Sequence, residues 1–580
     1  TPVNLDYRDS FPDVPTNNFN VLNPLHSRLD GGANVTISEG NLQIFGGSNY
    51  GGDNRYAGTT GVSSGKWYFE MLRTDATGIG NQTATGVFDA STPLSSGAYG
   101  GNGTNSGAAA NEWALTDRGY ACNTSTYTNL SGTIGTVTQN KVVQVAVDMD
   151  NKKIWFGIDN TFSGDPAAGS GQAFANLPTT ILPLAYHAQS TQVFNFGQDS
   201  SFSGNKSTAN ANADGNGFGS FAYAPPSGYL ALCSQNLPEP AIIDGPDNFN
   251  TLLYTGNGGT QSITGVGFGS APDFVWIKAR NDTSGHQLYD TVRGATKRLR
   301  SQSTGYESTE STGLTSFDVD GFTLGSNVGS NENNKTYAAW NWLAGTAFSN
   351  DASATGVGTI DSAGQVNAEA GFSIVSYTGT GSAGTVAHGI DTPELILVKN
   401  RSNTDNWSWV VYDKINGATK YMYLNTTAAS ATYNMWNNTA PTTSVFSVSN
   451  YTGTNGSSNL MIAYCFHSVE GYSKVGSYVG NGNADGTFVY TGFRPAFVLL
   501  KKSSAAGDNW SMYDNKRDTD NPVREYLIPN DAQAAGATDT MDFLSNGFKV
   551  RNAGAYINTS GATYIYLAFA DQPQKFSNAR

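Results

Sequence analysis

The sequence predicts an all-β, multi-domain protein in which one β-sandwich is followed by three tandem, related β-sandwich-like domains. Three observations lead to this prediction. Charged residues make up only 13% of the 580 residues, while aromatic residues reach 12% beside 68 glycines. Short apolar runs alternate with small polar turns, which is typical of strands and not of a disordered chain. The phrase "PDFVWIKAR" returns in two variants, which indicates a duplicated unit.

The first domain is predicted over residues 21–236, behind an N-terminal arm of residues 1–20. Strands are expected at 64–71, 85–91, 142–160 and 192–198, where aromatic and β-branched residues alternate with polar ones. The segments "GKWYFE", "VVQVAVDMDNKKIWFGI" and "FNFGQ" occur there in order. Together they resemble the SPRY module of the concanavalin A-like β-sandwiches, and this resemblance implies a two-sheet sandwich.

Three repeats are predicted at 251–345, 371–470 and 471–580, separated by linkers at 237–250 and 346–370. Each repeat has an opening tyrosine, an apolar run that ends in lysine, and a later Tyr-Asp pair. The landmarks are Tyr254, Lys278 and Asp290, then Tyr377, Lys399 and Asp413, then Tyr478, Lys501 and Asp514. An aromatic strand closes each repeat and is the fourth landmark. Because the four landmarks occur in the same order three times, they indicate duplication.

The segments inside each repeat predict strands and hairpins. "DFVWIK" and "ELILVK" are apolar on both faces, as expected for a strand that is covered on two sides. Asn416 and Gly417 lie between apolar runs and predict a hairpin turn. The segments 317–324 and 543–550 predict matching hairpins, and the second repeat is expected to have a different turn there because its Gly-Phe is missing.

Charge and composition exclude several classes of protein. The net charge is −14, and no cluster of Lys and Arg is long enough to follow a phosphate backbone, so nucleic acid is not an expected partner. No run of 18 apolar residues predicts a membrane-spanning helix, and the opening "TPVNLDYRDSFPDVPTNN" has neither the basic nor the apolar region expected of a signal peptide. Three widely spaced cysteines predict neither disulfides nor a zinc site. We therefore expect synthesis in the cytoplasm.

The sequence contains no convincing catalytic or metal-binding motif. "GVSSG" has the spacing of a hydrolase nucleophile at Ser63, but it leads directly into a strand, so a turn is expected. We predict a protein that is not an enzyme and has no cofactor. The alternative is a calcium ion bound at the turn with Asp148 and Asp150 or at the turn with Asp318 and Asp320. Asp is also common in turns that bind no ion, because its side chain stabilises the turn.

Three aromatic residues in a polar stretch are the candidate binding residues. Trp113, Tyr120 and Tyr127 lie in "EWALTDRGYACNTSTYTN". Aromatic ring faces stack on the C–H groups of sugars while neighbouring amides and hydroxyls bond the sugar oxygens. Burial of the same rings in a core is the alternative.

The order of segments resembles virion structural proteins of marine tailed bacteriophages, described as tail fibre or tail-associated proteins. The phrases that carry it are "PTNNFNVLNPL", "LPEPAI", "VWIKAR" and the closing "AFADQPQKF". The resemblance implies a virion protein that contacts other virion proteins and a host-surface glycan or receptor. It also implies a homo-oligomer, with a trimer as one option, although no heptad pattern is present. A capsid-associated decoration protein and a polysaccharide depolymerase are the alternatives.

Overall fold

A computed structural model describes residues 14, 16–29, 35–46, 54–75, 80, 83–94, 111–123, 126–188, 190–207, 211–402 and 406–576. Most of the predicted N-terminal arm lies outside these residues. Strands dominate the described residues, and the α-helices among them are each four residues long. The chain forms two compact units, Thr1–Pro238 and Glu239–Arg580. The prediction of an all-β, multi-domain protein is confirmed.

Unit 1 is a β-sandwich of two antiparallel sheets. One sheet has the order Leu22–Arg28, Asn54–Gly58, Ile181–His187, Thr83–Asp89, Glu112–Thr116, Tyr120–Asn123 and Thr126–Asn129. The other has the order Thr161–Phe162, Lys153–Ile158, Val142–Asp148, Lys66–Arg73, Gln192–Asn195, Gln43–Gly46 and Val35–Ser38. Leu230–Ala231 adds to Lys66–Arg73 in parallel, and Ser131–Ile134 is a helix.

The alternation of side chains along each strand explains the core of unit 1. Trp67, Phe69 and Met71 project from one sheet into the apolar layer, where Val87 and Leu115 meet them from the other sheet. Such alternation directs every second residue to the same face of a strand. The strands expected from the four segments of the first domain are therefore present.

Unit 2 contains three versions of one four-stranded antiparallel sheet. In the first repeat its order is Phe249–Thr255, Thr336–Trp342, Phe274–Ala279 and Gln287–Asp290. In the second it is Phe372–Thr378, Leu460–Phe466, Leu395–Asn400 and Val410–Asp413, and in the third Ser473–Val479, Thr563–Pro573, Phe493–Lys502 and Ser511–Asp514. The predicted duplication is thus visible as a repeated strand order.

A smaller sheet accompanies each of these sheets. The small sheets are Gln261–Thr264, Gly321–Leu324 and Leu314–Asp318; Gly384–Ala387 and Val445–Val448; and Phe488–Tyr490, Gly547–Val550, Gly536–Leu544 and Val523–Tyr526. Further strands are Lys297–Arg298, Ser308–Thr309, Lys420–Tyr423 and Ala431–Thr432. The helices are Gly245–Asp247 (3₁₀), Val328–Asn331, Ala352–Thr355, Thr452–Asn455 and Ala555–Asn558.

The three repeats share one central core. A single cluster of buried side chains takes Trp340 from the first repeat, Tyr464 from the second and Phe569 from the third. The Phe249 ring lies 4.8 Å from the Phe569 ring, so the first and last repeats are in direct contact. Each apolar strand is therefore covered on one face by its own repeat and on the other by its neighbours.

Equivalent hydrogen bonds join each repeat to another and close the three into a ring. The side chain three residues before the Tyr-Asp pair contacts a carbonyl of the neighbouring repeat. The three contacts are Trp409 Nε1 to Arg300 O (2.9 Å), Trp510 Nε1 to Tyr423 O (3.0 Å) and His286 Nε2 to Ile528 O (2.9 Å). Because Trp276 Nε1 donates to His286 Nδ1, the hydrogen of this imidazole lies on Nε2 and is donated to Ile528.

The predicted linker at 346–370 differs from the structure. It contains the strands Thr346–Asn350 and Ser362–Asn367, which extend the sheet of the second repeat through Phe372–Thr378. Strand pairing uses backbone groups, so this polar, glycine-rich sequence can join a sheet edge without an apolar stripe. The predicted linker at 237–250 likewise ends inside a strand, because Phe249 already pairs with Trp342.

The hairpins predicted at 317–324 and 543–550 are present, with Asp318 opposite Gly321 and Leu544 opposite Gly547. Asn416 and Gly417 also lie between paired strands, but the connection runs from Asp413 to Lys420 and is longer than a two-residue turn.

Candidate functional site

The structure separates the three predicted binding residues onto two faces of one sheet. Trp113 is 5% exposed and lies in the core of unit 1, where its Nε1 donates to Asn176 Oδ1 at 3.0 Å. The expectation of an exposed ring at Trp113 is therefore wrong, because the strand directs this residue and Leu115 inward. Tyr120 and Tyr127 lie on the opposite face.

Half-buried Tyr120 and exposed Tyr127 form a pair at the edge of the sheet. Their ring centroids are 5.8 Å apart and the rings are inclined by 72°. Tyr127 is 45% exposed, and every residue of its strand, Thr126–Asn129, is exposed. The antiparallel register places Tyr120 opposite Asn129 and Tyr127 opposite Cys122. Two ring faces and a polar edge thus lie side by side.

Polar groups surround the tyrosine pair. Asn129 Oδ1 accepts from the backbone N–H of Ser131 at 2.9 Å and from its hydroxyl at 2.7 Å, which leaves the Asn129 amide N–H groups for other acceptors. Asn129 was not among the predicted residues, although the alternation in "TYTN" places it on the face of Tyr127. Burial raises the pKa of Cys122 to about 12, so its thiol is not a nucleophile at neutral pH.

The aspartates considered for calcium accept hydrogen bonds from nearby turns. Asp150 accepts from the Gly65 N–H at 2.7 Å, and Asp148 accepts from the Asn151 backbone and side chain at 2.9 Å. Asp320 accepts from the N–H groups of Gly265 and Gly267. Among the described residues no group of three His, Cys, Asp or Glu side chains is placed to hold a metal. A calcium role stays a prediction.

Glu70 is a buried carboxylate with structural partners. It accepts from the Tyr68 hydroxyl at 2.8 Å and from the backbone N–H groups of Ala222 and Tyr223 at 2.9 Å each. Burial raises its pKa to about 7, against the effect of these hydrogen bonds. The side chain anchors the 221–223 segment to the sheet and is closed to a substrate, since Glu70 is fully buried.

The lysine that ends each apolar run is buried in all three repeats. Lys278, Lys399 and Lys501 are each 0% exposed. Lys399 Nζ donates to Thr304 O of the first repeat and to Trp407 O of its own, while Lys501 Nζ donates to Thr427 O and Asp508 O in the same manner. Lys399 and Lys501 thus join neighbouring repeats, while Lys278 Nζ donates to Ala279 O and Asp282 O of its own repeat.

The free energy of unfolding of unit 2 is expected to rise between pH 7 and pH 9. Burial lowers the pKa of Lys278 and Lys501 to about 8 and that of Lys399 to about 7. Each folded-state pKa lies below its unfolded value, so the unfolded chain binds more protons in this window and stability grows with pH. Each lysine contributes on the order of 1 kcal/mol per pH unit above its folded pKa.

Urea denaturation at pH 7 and pH 9 measures this effect. Lys399→Met is the matched variant, because it removes one titrating group and fits a similar volume. Its stability is expected to change less with pH than that of the original chain. An equal or steeper change in the variant would contradict the assignment.

Within the described residues no helix is long and apolar enough to span a membrane.

Comparison with solved structures finds similar domains over less than a third of the chain. The SPRY domain of human HERC1 is 16% identical, covers 30% of this chain and 96% of its own, and has a TM-score of 0.23. A second human SPRY domain is 11% identical and covers 28% and 96%, with a TM-score of 0.18. The carbohydrate binding module CBM66 from Bacillus subtilis is 10% identical and covers 29% and 91%, with a TM-score of 0.18.

Comparison with curated proteins gives no match. Residues 244–573, more than half of the chain, match the family described as "Domain of unknown function (DUF7483)". The match spans all three repeats of unit 2 and the ring that they close. The chain therefore belongs to the DUF7483 family.

Proposed function

We propose that this chain is a non-enzymatic bacteriophage virion protein, a tail fibre or appendage subunit that attaches the particle to a glycan on the host surface. The observation that carries the proposal is the contact between half-buried Tyr120 and exposed Tyr127 on the last two strands of a sheet of unit 1. Two inclined tyrosine rings offer faces for sugar C–H groups, and their hydroxyls with the Asn129 amide offer hydrogen bonds.

The composition and the layout of the chain support this role. The order of its segments resembles tail-associated virion proteins, and low charge with abundant glycine suits a surface outside a particle. Other virion proteins are the partners that would hold the chain in place. A homo-oligomer presents several copies of one weak site, and effective concentration then converts weak contacts into firm attachment.

The ionisable groups with shifted pKa values support a role without catalysis. Glu70 and the three buried lysines bond to the chain itself and lie beneath the surface. A catalytic acid or base must reach the proton that it transfers, at about 2.6–3.2 Å from the substrate atom. These groups act in the fold, and attachment requires no chemical step.

Binding of the labelled full-length chain to marine bacterial host cells tests the proposal. Tyr127→Ala is expected to weaken binding about tenfold, since a central exposed aromatic residue contributes about 1–2 kcal/mol to an interface. Tyr306→Ala is the matched control, because Tyr306 is 48% exposed and lies in unit 2. It is expected to leave binding to this site unchanged.

Equal binding by Tyr127→Ala and the original chain would contradict the assignment of this site. An unchanged unfolding temperature of the variant shows that a loss of binding does not reflect misfolding. Release of reducing ends from host polysaccharide by the purified chain would contradict the non-enzymatic role.

A further inference from the structure

The second repeat of unit 2 carries five aromatic side chains in contact with one another. They come from four segments and are Trp407, Tyr421, Tyr423, Tyr433 and Tyr451, here called the five-ring surface. Ring centroids are 5.4 Å apart for Trp407 and Tyr451, 5.6 Å for Tyr451 and Tyr433, 6.5 Å for Tyr433 and Tyr421, and 4.9 Å for Tyr421 and Tyr423. The rings are inclined by 62–81°, so their faces point in different directions.

One side of the five-ring surface packs on the second repeat, and its other side is accessible to solvent. Tyr421 and Tyr423 flank Met422, which is buried in the central core, so both rings project to the opposite side of the strand. The Tyr433 N–H donates to Thr419 O at 3.2 Å, which places the ring beside that strand. Tyr433 is 53% exposed, and the other four residues are half-buried.

The first repeat shows that the fold does not require rings at the Tyr421 and Tyr433 positions. The same strand position as Tyr421 is held by Arg298 in the first repeat, and the position of Tyr433 by Glu310. Arg298 and Glu310 form an ion pair at 3.0 Å in place of the two tyrosines. In the third repeat Leu527 pairs with Met512 as Met422 pairs with Val411, so the counterpart of Tyr421 is Tyr526 and that of Tyr423 is Ile528.

Tyr451 replaces a residue that would stabilise a helix. It precedes the helix Thr452–Asn455, where its side chain makes no cap hydrogen bond. At the same position in the first repeat, Asn327 accepts from the Gly329 N–H and caps its helix. A tyrosine at a cap position is less stabilising than asparagine. Its hydroxyl lies 3.3 Å from the Tyr423 hydroxyl, so it completes the five-ring surface instead.

Three tyrosine hydroxyls of the five-ring surface stay neutral. Burial and neighbouring tyrosines raise the pKa of Tyr421 and Tyr423 to about 12, and the same causes raise the pKa of Tyr451. These three phenols are therefore uncharged at neutral pH and can donate hydrogen bonds. Asn406 and Asn434 are exposed beside Trp407 and Tyr433 and carry amides that can bond sugar hydroxyls.

We propose that the five-ring surface is a second binding site, which takes an uncharged polysaccharide chain. Several inclined rings with phenol hydroxyls and flanking amides match successive sugar units, each of which presents an apolar C–H face and a rim of hydroxyls. The proposal does not rest on the Tyr120–Tyr127 pair, because the two surfaces belong to different compact units.

Affinity electrophoresis of the full-length chain tests the proposal. Gels contain a neutral polysaccharide (dextran, mannan, xylan, laminarin or galactan) or an anionic one (alginate or sulfated galactan). At least one neutral polysaccharide is expected to retard the chain. Tyr433→Ala is expected to raise the apparent Kd about tenfold. The double variant Tyr421→Arg with Tyr433→Glu reproduces the ion pair of the first repeat and is expected to abolish retardation.

Two controls separate this site from the others. Tyr127→Ala, in unit 1, is expected to keep the retardation that Tyr433→Ala loses. Unfolding temperatures within about 2 °C of the original chain show that the Tyr433 variants are folded. The proposal is overturned by retardation in anionic gels alone, by no retardation in any neutral gel, or by retardation that Tyr433→Ala leaves intact. The proposal is also overturned if the five-ring surface binds a protein instead of a polysaccharide.

Discussion

Deleting the third repeat, residues 471–580, is expected to unfold the first two repeats as well. The three repeats bury their sheets in one core, where Phe249 packs on Phe569 and Trp340 donates to Asp514 at 3.0 Å. Exposing one large core side chain costs about 1.5–3 kcal/mol, and a few such losses exceed the 5–15 kcal/mol that stabilises a typical protein. Far-UV circular dichroism and trypsin digestion of the chain 1–470 measure the effect.

The matched control keeps the ring and removes unit 1 instead. A chain of residues 239–580 retains every contact between repeats and is expected to fold and to resist trypsin. A trypsin-resistant fragment of residues 251–470 with its own cooperative unfolding transition would show that the repeats are independent domains, and would contradict the shared core.

Asp514→Asn is expected to cost unit 2 about 3–5 kcal/mol of unfolding free energy, and Asp290→Asn less, because Arg293 retains Glu307 at 3.4 Å. Asp514 accepts from Arg517 Nε at 2.6 Å, and both side chains are 0% exposed. Asp290 binds Arg293 in the same way and also accepts from the Tyr464 hydroxyl. Removing the Asp514 charge leaves the buried Arg517 guanidinium without its counter-ion. Chemical denaturation of the full-length chain measures the loss.

The second repeat supplies a control at the equivalent position. Asp413 precedes Asn416 where the other repeats have arginine, and Asn416 donates to its carboxylate at 2.8 Å and 3.0 Å. Burial raises the pKa of Asp413, so its charge is disfavoured in the folded chain. Asp413→Asn is therefore expected to change stability by less than about 1 kcal/mol. Equal costs at all three aspartates would contradict this account.

The repeated landmarks predicted much of the fold of unit 2 but not how the repeats meet. The run "DFVWIK" indicated a strand covered on two sides, and Phe274–Ala279 is such a strand. The side chains that pack on the inner face of this strand come from the other repeats, and no local sequence pattern indicates which segment supplies them. The lysines were recognised as landmarks, yet their burial depends on carbonyl groups such as Thr304 O from another repeat.

The binding residues were harder to predict than the strands. Trp113 and Tyr127 lie in one polar stretch, but the register of the sheet buries the first and exposes the second. The rings of the five-ring surface come from segments up to 44 positions apart, between Trp407 and Tyr451, so no short motif joins them. Only the alternation in "YMY" at Tyr421 and Tyr423 marks a strand with two aromatic residues on one face.

Binding to host cells before and after mild periodate oxidation tests the central claim most directly. Periodate cleaves the vicinal diols of surface glycans and leaves most of the protein backbone intact. If the chain attaches through glycans, oxidation is expected to abolish binding of the labelled full-length chain to marine bacterial host cells. Undiminished binding to oxidised cells would contradict attachment through glycans that carry vicinal diols and would indicate a protein receptor.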